Sequence, residues 1–353
     1  MRAAVTGCAL LLLVTAPPAL AGPAGPGASL RGSTGPAGPG ASLRGSASAA
    51  DNPFDASRLA AERLSFVGVV RVTWDDGHGS HSDDLTVRAS GGSYEVQGKS
   101  TVMAEPGGAT MVRHPAGDWD LLWTGTPSPG HRPDLAAKYD LTPAQPSTTT
   151  TTVASRPTTM VEVRQAGTVR ERLFLDADNG LLLRREQLDL SGHPTRVVAF
   201  SSIDLNPQIA APAAPTRLAD HSAHHLSSVS APVALPGGFR RMDAYREPGA
   251  VQVLYSDGLY DLSVFEQRGG LAARDLPASG KPVGVGSAKG WIYAWPGGQV
   301  LVWHRGHTVY SLVSEAPVDQ LMAVARALPA AGGSSLVERM RRVCRTLVEP
   351  IAA

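Results

Sequence analysis

The sequence predicts a mainly β protein of the α+β class, built from two successive antiparallel sheets. Short segments of alternating polar and apolar residues recur about every 8–12 residues, and no helical patterns stand between them. This spacing is typical of antiparallel sheets that curve strongly. Gly and Pro are abundant, with 38 and 28 of 353 residues, and aromatic residues make up only 5%. This composition favours turns and short strands over a helix bundle.

Charge and hydrophobicity exclude two classes of protein. The 32 basic and 31 acidic residues balance to a formal charge of +1. Proteins that bind nucleic acid concentrate a positive surplus on one surface, so no nucleic-acid partner is expected. A hydrophobic content of 42% excludes a chain that is disordered throughout.

The N-terminus predicts export. Residues 1–21 follow the plan of a signal peptide, with Arg2 before an apolar run and Ala19-Leu20-Ala21 at the cleavage position. The apolar run is too short to cross a bilayer, although an N-terminal anchor is the alternative. We therefore expect a protein exported across the cytoplasmic membrane to the periplasm or cell envelope, soluble or peripherally membrane-associated. A Gly/Pro-rich direct repeat predicts a disordered tether over residues 22–50.

The first domain is predicted over residues 51–205. It begins with a short helix that Asp55 caps, and a strand from Ser65 to Trp74 follows, in which Gly68 permits a bulge. A Pro-, Ser- and Thr-rich insertion at 126–159 interrupts the strands, and we expect it to be a flexible surface loop. The remaining strands are expected at 85–88, 93–97, 109–113, 118–123, 160–164, 168–176, 181–190 and 194–203.

A Pro-, Ala- and His-rich linker is predicted over 206–232, and a second domain over 233–329. The second domain ends with a helix that begins after Pro317, a position that tolerates proline. Its strands are expected at 235–239, 251–255, 259–266, 290–295, 299–304 and 308–314.

Residues 334–349 have the pattern of an amphipathic helix. The apolar residues fall within one arc, and Arg339, Arg341, Arg342 and Arg345 occupy the opposite side. Two interpretations stay open: a helix that docks on its own domain, or one that contacts a membrane surface or a partner.

No motif for catalysis, cofactor binding or metal binding stands in a supporting context. Gly98-Lys99-Ser100 lacks the upstream glycine of a phosphate loop. His78 and His81 lie in a polar turn, while the three histidines of His221 to His225 lie in the linker, and solvated segments of this kind rarely fix a metal. We therefore expect no enzyme, no cofactor and no metal site, with a hydrolase as a remote third alternative.

Three short motifs stand in order in the second domain: Leu235 to Phe239, Ser256 to Leu259 and Ser263 to Phe265. Together they are similar to the second-domain signature of the MucB/RseB family, exported regulators of extracytoplasmic sigma factors. In the first domain, Phe66 to Val70 resembles the opening strand, and the segment 182–203 resembles the closing hairpin.

The resemblance implies both a fold and a function. The fold is a half-open antiparallel β-barrel over helices, like that of the lipoprotein carriers LolA and LolB, followed by a smaller α/β domain. The function is to bind the extracytoplasmic segment of a membrane anti-sigma factor and to limit its proteolysis, with lipid sensing in the first domain.

The resemblance places partner contacts in the second domain. A free strand edge there would accept an extended peptide by main-chain pairing. For the side chains themselves, a tight turn and a domain core are the favoured alternative. The expected partner-binding residues are Ser256, Asp257, Gly258, Leu259, Val264 and Phe265.

An unclosed first sheet would leave apolar side chains that an acyl chain can cover, at about 0.8 kcal/mol per CH₂. The equal alternative is that these side chains fill a packed core. A lipid or lipoprotein carrier of the cell envelope is therefore the second function consistent with the sequence, and a homo-oligomer is left open. The expected lining residues are Phe66, Val70, Val72, Trp74, Trp119, Leu121 and Trp123.

Overall fold

The computed structural model describes residues 53–98, 101–104, 110–113, 119–123, 135–143, 151–210, 212, 224–227, 229–247 and 250–328. The chain divides into two compact units, Met1–Asp220 and His221–Ala353. The predicted signal peptide, the Gly/Pro repeat and the amphipathic tail all lie outside the described residues. None of the described helices is long and apolar enough to cross a membrane.

The described residues of the first unit form one α-helix and a twelve-stranded antiparallel sheet. The strand order is β6-β5-β4-β3-β2-β1-β12-β11-β10-β9-β7, and β8 pairs with β9. Among the described residues the sheet is unclosed, with β6 and β7 at its two ends. The elements are α1 (Pro53–Arg63), β1 (Phe66–Asp75), β2 (Ser80–Ser90), β3 (Ser93–Gln97), β4 (Thr101–Ala104), β5 (Thr110–Arg113), β6 (Trp119–Trp123), β7 (Asp140–Pro143), β8 (Thr151–Val153), β9 (Arg156–Gln165), β10 (Thr168–Asp176), β11 (Leu182–Leu188) and β12 (Pro194–Asp204).

Alternation along β1 determines which face of this sheet is buried. Phe66, Val70 and Val72 are fully buried, whereas Arg71 between them is exposed. These side chains pack with α1 through Ala60 and Ala61, and with the strands on either side of β1. Because β1 pairs with both β2 and β12, residues more than 100 positions apart share one core.

The bulge predicted near Gly68 is confirmed. The pairing of β1 with β12 shifts between Val69 and Val70, one residue after Gly68. A Cβ at Gly68 would stand 2.6 Å from the backbone oxygen of Ser202 and 2.8 Å from the Phe200 ring. The missing side chain therefore allows β12 to cross β1 closely.

Gly68→Ala is expected to lower the free energy of unfolding by about 1–3 kcal/mol, because the β12 backbone must shift to admit the methyl group. Gly79→Ala is the matched control, since no atom lies within 4 Å of a Cβ there. Urea denaturation of both variants measures the difference. Equal stability of the two variants would show that the close contact at Gly68 is unimportant.

Part of the predicted insertion at 126–159 is ordered. Residues 135–137 form a 3₁₀ turn, and β7 pairs with β9 along its whole length. Leu135 and Tyr139 are buried, so burial of apolar side chains, which a Pro- and Thr-rich composition obscures, anchors this segment to the sheet.

The second unit is an eight-stranded antiparallel sheet with one helix. Its strand order is β13-β14-β15-β16-β20-β19-β18-β17. The elements are β13 (His224–His225), β14 (Arg240–Glu247), β15 (Ala250–Ser256), β16 (Asp261–Arg268), β17 (Lys281–Val285), β18 (Ala288–Trp295), β19 (Gly298–Arg305), β20 (Thr308–Ser314) and α2 (Val318–Ala327). The predicted fold class, mainly β and antiparallel with few helices, is confirmed in both units.

Helix α2 packs its apolar face on β20 and β17. Leu321, Met322 and Ala325 are buried as the spacing predicts, and Val324 joins them, while Val318 in the first turn is 40% exposed. The strand expected at 235–239 is wrong. Pro236–Gly238 forms a 3₁₀ turn instead, because Gly237 and Gly238 have positive φ angles of 80° and 82°.

Residues 224–227 and 229–233, within and just after the predicted linker, follow the edge of β14. Arg241 Nη1 donates hydrogen bonds to the backbone oxygens of Val229 and Ala231, at 3.2 and 2.8 Å. The hydroxyl of Tyr255 donates to the Pro232 oxygen at 3.0 Å, and burial raises the pKa of Tyr255 to about 12. Polar side chains of the sheet therefore fix this segment, a role that its composition does not reveal.

Candidate binding sites

The predicted lining residues on β1 belong to the core of the first unit. Phe66, Val70 and Val72 are at most 1% exposed, and Trp74 packs partly buried against the same cluster. Phe66 meets Phe200 edge to face, with ring centroids 5.9 Å apart. This packing favours the core interpretation for these residues, and a role in lining a lipid site stays a proposal.

The predicted residues on β6 lie at the far end of the same sheet, with four strands between β6 and β1. At a register shift between β5 and β6, Leu121 and Trp123, which are two residues apart, align with the adjacent residues Met111 and Thr110. Trp123 aligns through Thr110, Ala104, Tyr94 and Ala89 with Phe66. Leu121 aligns through Met111, Met103 and Glu95 with Arg88. Only Trp123 is thus in the register row of a predicted lining residue on β1.

Sequence reasoning missed a buried ion pair on the core face of this unit. Arg185 on β11 pairs with Val198 on β12, which in turn pairs with Val72 on β1. Residues paired across strands lie on the same face of the sheet, so Arg185 shares the face of these two core valines. Arg185 donates to both carboxylate oxygens of Glu171, with Nε to Oε2 at 2.8 Å and Nη2 to Oε1 at 2.7 Å. The two side chains are 4% and 0% exposed. A signal existed, since charges of opposite sign stand in neighbouring predicted strands, but only the register shows that they meet.

The predicted partner-binding residues form a buried turn between β15 and β16. Asp257 accepts hydrogen bonds at Oδ1 from the backbone N–H groups of Leu259 and Tyr260, at 2.9 and 2.7 Å. Ser256 Oγ accepts from the N–H of Gly258, whose φ angle is 96°. These residues are buried, so the side chains of this turn serve the fold.

Val264 and Phe265 lie in β16, one strand inside the sheet. Val264 is 1% exposed and pairs with Val253 on β15 and Leu312 on β20, while Phe265 is half-buried. The expectation of a free strand edge at Ser256 to Phe265 is wrong, because β15 and β16 each have a neighbour on both sides. Ser256 to Phe265 therefore forms a tight turn followed by part of the domain core, which is the alternative that the sequence favoured for these side chains.

The second sheet ends at β13 and at β17, and along the outer side of β17 no other described strand pairs. Pro282 has no N–H group, and a proline fits in a paired strand where its nitrogen faces the open side. Backbone groups alternate in direction along a strand, so Gly284, two residues after Pro282, also directs its N–H and C=O to the open side. This edge therefore offers a peptide one donor and two acceptors.

A shallow, nearly flat groove of about 360 Å³ adjoins β17. It is open, and no atom lies within 4 Å of the position that a Cβ would take at Gly284. Lys289 lies on the groove, 5.3 Å from the centre of the Trp291 ring, and supplies a positive charge. The groove is lined by Pro282, Val283, Gly284, Ser287, Ala288 and Lys289.

Two of the histidines that the sequence singled out, His81 and His225, have side-chain contacts in the structure. His225 pairs with β14 and its Nε2 lies 2.8 Å from Asp243 Oδ1, so it is held by the sheet although 55% of its side chain is exposed. His81 stacks on Trp74 and contacts Asp76 Oδ2 at 2.8 Å. Within the described ranges, no three His, Cys, Asp or Glu residues are grouped to hold a metal ion.

Comparison with known proteins finds similarity at the level of structure. No protein-family model matches the chain, and neither does any curated protein sequence. The complex of MucA and MucB from Pseudomonas aeruginosa matches at 19% identity with a TM-score of 0.47, covering 79% of this chain and 98% of that one. A structure of MucB alone matches at 22% identity with a TM-score of 0.46, covering 80% and 98%.

A domain from Vibrio parahaemolyticus, assigned to an outer membrane lipoprotein-sorting protein, matches more weakly. Its identity is 8% and its TM-score 0.19, over 79% of this chain and 91% of that one. At these identities and scores the likeness concerns the fold and carries no conclusion about binding or activity. MucB is nevertheless among the solved structures that this chain resembles, as the motifs of its second domain predict.

Proposed function

We propose that this protein is an exported, non-enzymatic regulator that binds the extracytoplasmic segment of a membrane anti-sigma factor and limits its proteolysis. The partner class follows from the sequence resemblance at residues 235–265. The observation that carries the proposal is the open edge of β17 with its adjoining groove, because a regulator of this kind needs a place to hold an extended polypeptide.

Edge pairing suits this task. An added strand forms main-chain hydrogen bonds whatever its sequence, while side chains at alternate positions enter neighbouring pockets. Lys281 and Lys289 flank the edge and favour a peptide that carries acidic residues. A protease needs its substrate extended in its own active site, so a segment held as a strand on β17 is withheld from cleavage.

Lipid sensing in the first unit is the finer part of the proposal. It requires that an acyl chain reach the core side chains of β1, and the unclosed ends of the sheet at β6 and β7 provide the entry. A carrier of lipids or lipoproteins would use the same entry without the edge of β17. Mass spectrometry of organic extracts separates these functions: stoichiometric lipid with no protein partner supports the carrier.

Crosslinking in cells tests the regulator. The chain is captured from envelope extracts after crosslinking, and its partners are identified by mass spectrometry. A membrane anti-sigma factor crosslinked through its extracytoplasmic segment, with contacts mapped to β17, supports the proposal. Capture that contains no such protein, or crosslinks confined to other strands, contradicts it.

Gly284→Pro is expected to weaken capture of the partner by roughly tenfold, because it removes the outward N–H of the β17 edge. Gly284→Ala is the matched control and should bind as the unaltered protein does, since a methyl group there meets no neighbour. Quantitative pull-down measures both, and thermal melting verifies that both variants are folded. Equal capture by the two variants would mean that β17 is not the peptide site.

A further inference from the structure

Strands β17 and β18 carry small side chains beside large ones on one face of the second sheet. Pro282 pairs with Trp291, and Gly284 pairs with Lys289. Side chains paired across strands lie on the same face, and so do those two positions apart along one strand. These four residues therefore share one face, which we call the recognition face and define by Pro282, Gly284, Lys289 and Trp291.

The recognition face has room for a side chain of a bound strand. No atom lies within 4 Å of the position that a Cβ would take at Gly284. Neighbouring strands lie about 4.8 Å apart, so the backbone of a peptide paired with β17 would be about 10 Å from that of β18. The space above Gly284 is therefore where Lys289, on β18, and a long side chain of the peptide can meet.

The charge on the recognition face is positive. Lys289 is exposed, and its Nζ lies over the Trp291 ring, 5.3 Å from the ring centre. Attraction between the cation and the aromatic ring holds the ammonium group on this face. Residues 276–314, which contain β17 to β20, include no Asp or Glu. No carboxylate of these four strands therefore competes with a peptide carboxylate for Lys289.

The opposite face of β17 belongs to the core of the second unit. Val285 is fully buried there, and Ile292, which pairs with Lys281, is 7% exposed. Lys281 is exposed, but it lies on this opposite face. A peptide side chain paired with Gly284 lies on the recognition face, so the strand separates it from Lys281. Of the two lysines that flank the edge, Lys289 is the one placed to contact it.

We propose that Lys289 selects the peptide bound along β17 by forming an ion pair with an acidic side chain paired with Gly284. The peptide residue paired with Pro282, two positions away, lies beside the Trp291 ring, where an apolar side chain buries its surface. This inference rests on the proposed function, because it requires a peptide on the edge of β17. It adds the chemistry of that peptide: an extended segment with an acidic and an apolar residue two positions apart.

Peptide binding with exchanged charges tests the ion pair. Two labelled peptides are used, Thr-Thr-Glu-Thr-Leu-Thr-Thr and its counterpart with Lys in place of Glu, and fluorescence anisotropy measures their binding to the purified full chain. The unaltered protein should bind the Glu peptide about tenfold more tightly, since an attractive pair of exposed charges replaces a repulsive one. Lys289→Glu should invert this preference.

Arg268→Glu is the matched control. It makes the same change of charge at an exposed position on β16, with three strands between β16 and β17. It should preserve the preference for the Glu peptide to within about twofold, because water and salt screen charges at this separation. Thermal melting verifies that every variant is folded. A preference that Arg268→Glu or Lys281→Glu also inverts would show a general effect of net charge and overturn the proposal.

Gly284→Pro separates this inference from the proposed function. If Gly284→Pro weakens binding of the Glu peptide but Lys289→Glu does not invert the preference, β17 still holds the peptide and only the role of Lys289 is overturned. If neither variant changes binding, or neither peptide binds the unaltered protein, both the inference and the peptide site on β17 are contradicted.

Discussion

Glu171→Gln is expected to lower the free energy of unfolding of the first unit by about 3–5 kcal/mol. Glu171 is fully buried and accepts two hydrogen bonds from Arg185. Its Oε1 also accepts a longer hydrogen bond from Gln187 Nε2, at 3.4 Å. The substitution keeps the shape of the side chain but leaves the Arg185 charge buried without its carboxylate. Desolvating a charge in a protein interior is costly unless a counter-charge compensates. Urea denaturation, followed by circular dichroism, measures the loss.

An exposed ion pair in the same sheet provides the control. Arg71 and Asp84 form two hydrogen bonds, at 2.7 and 2.8 Å, with side chains that are 56% and 48% exposed. The Arg71 hydrogen bond lowers the pKa of Asp84, but water screens the pair, so Asp84→Asn should change the free energy of unfolding far less than Glu171→Gln does.

A double variant completes this experiment. Replacing Glu171 and Arg185 together by leucine removes both buried charges and should regain much of the stability that Glu171→Gln loses. If Glu171→Gln costs no more than Asp84→Asn, the buried pair is not the element of stability that its geometry indicates.

Asp257→Ala is expected to destabilise the second unit by roughly 2–4 kcal/mol, because it leaves two buried backbone N–H groups without their acceptor. The carboxylate of Asp257 is 1% exposed and bonds Leu259 and Tyr260 across the turn between β15 and β16. Thermal and urea unfolding of the variant measure the effect.

Asp257→Asn separates a role in the turn from a role in partner binding. Its amide oxygen can still accept both hydrogen bonds, so we expect a stability close to that of the unaltered protein and unchanged capture of the partner. If the Asp257→Asn variant is folded but no longer captures the partner, Asp257 contributes to partner binding, and a purely structural role for this turn is contradicted.

Local patterns predicted much of the fold. Alternation identified β1, and the glycine within it indicated the bulge, because a missing Cβ is a local property. The turn at Ser256 to Leu259 also follows from residue types, since Asp and Gly favour this backbone. In contrast, β14 was missed: its residues, Arg240 to Glu247, are largely charged and do not alternate, and only pairing with β15 makes them a strand.

The candidate sites were harder to predict than the strands. Partner binding was expected at Ser256 to Phe265, yet strand order makes that segment internal and places β13 and β17 at the edges. A segment does not show from its own residues whether it has one neighbour or two. The register shift between β5 and β6 is equally invisible in the sequence, and it aligns Leu121 and Trp123, two residues apart, with the adjacent residues Met111 and Thr110.

By itself the sequence determined that this chain forms short antiparallel strands in two groups, where its tight turns lie, and which residues of β1 are buried. These properties depend on neighbours within a few positions. Tertiary structure decided that β1 lies between β2 and β12, that Arg185 meets Glu171, and that β17 is open. Such features depend on strand order and register, which are set by the free energy of the whole sheet because residues far apart in the chain must share one buried face.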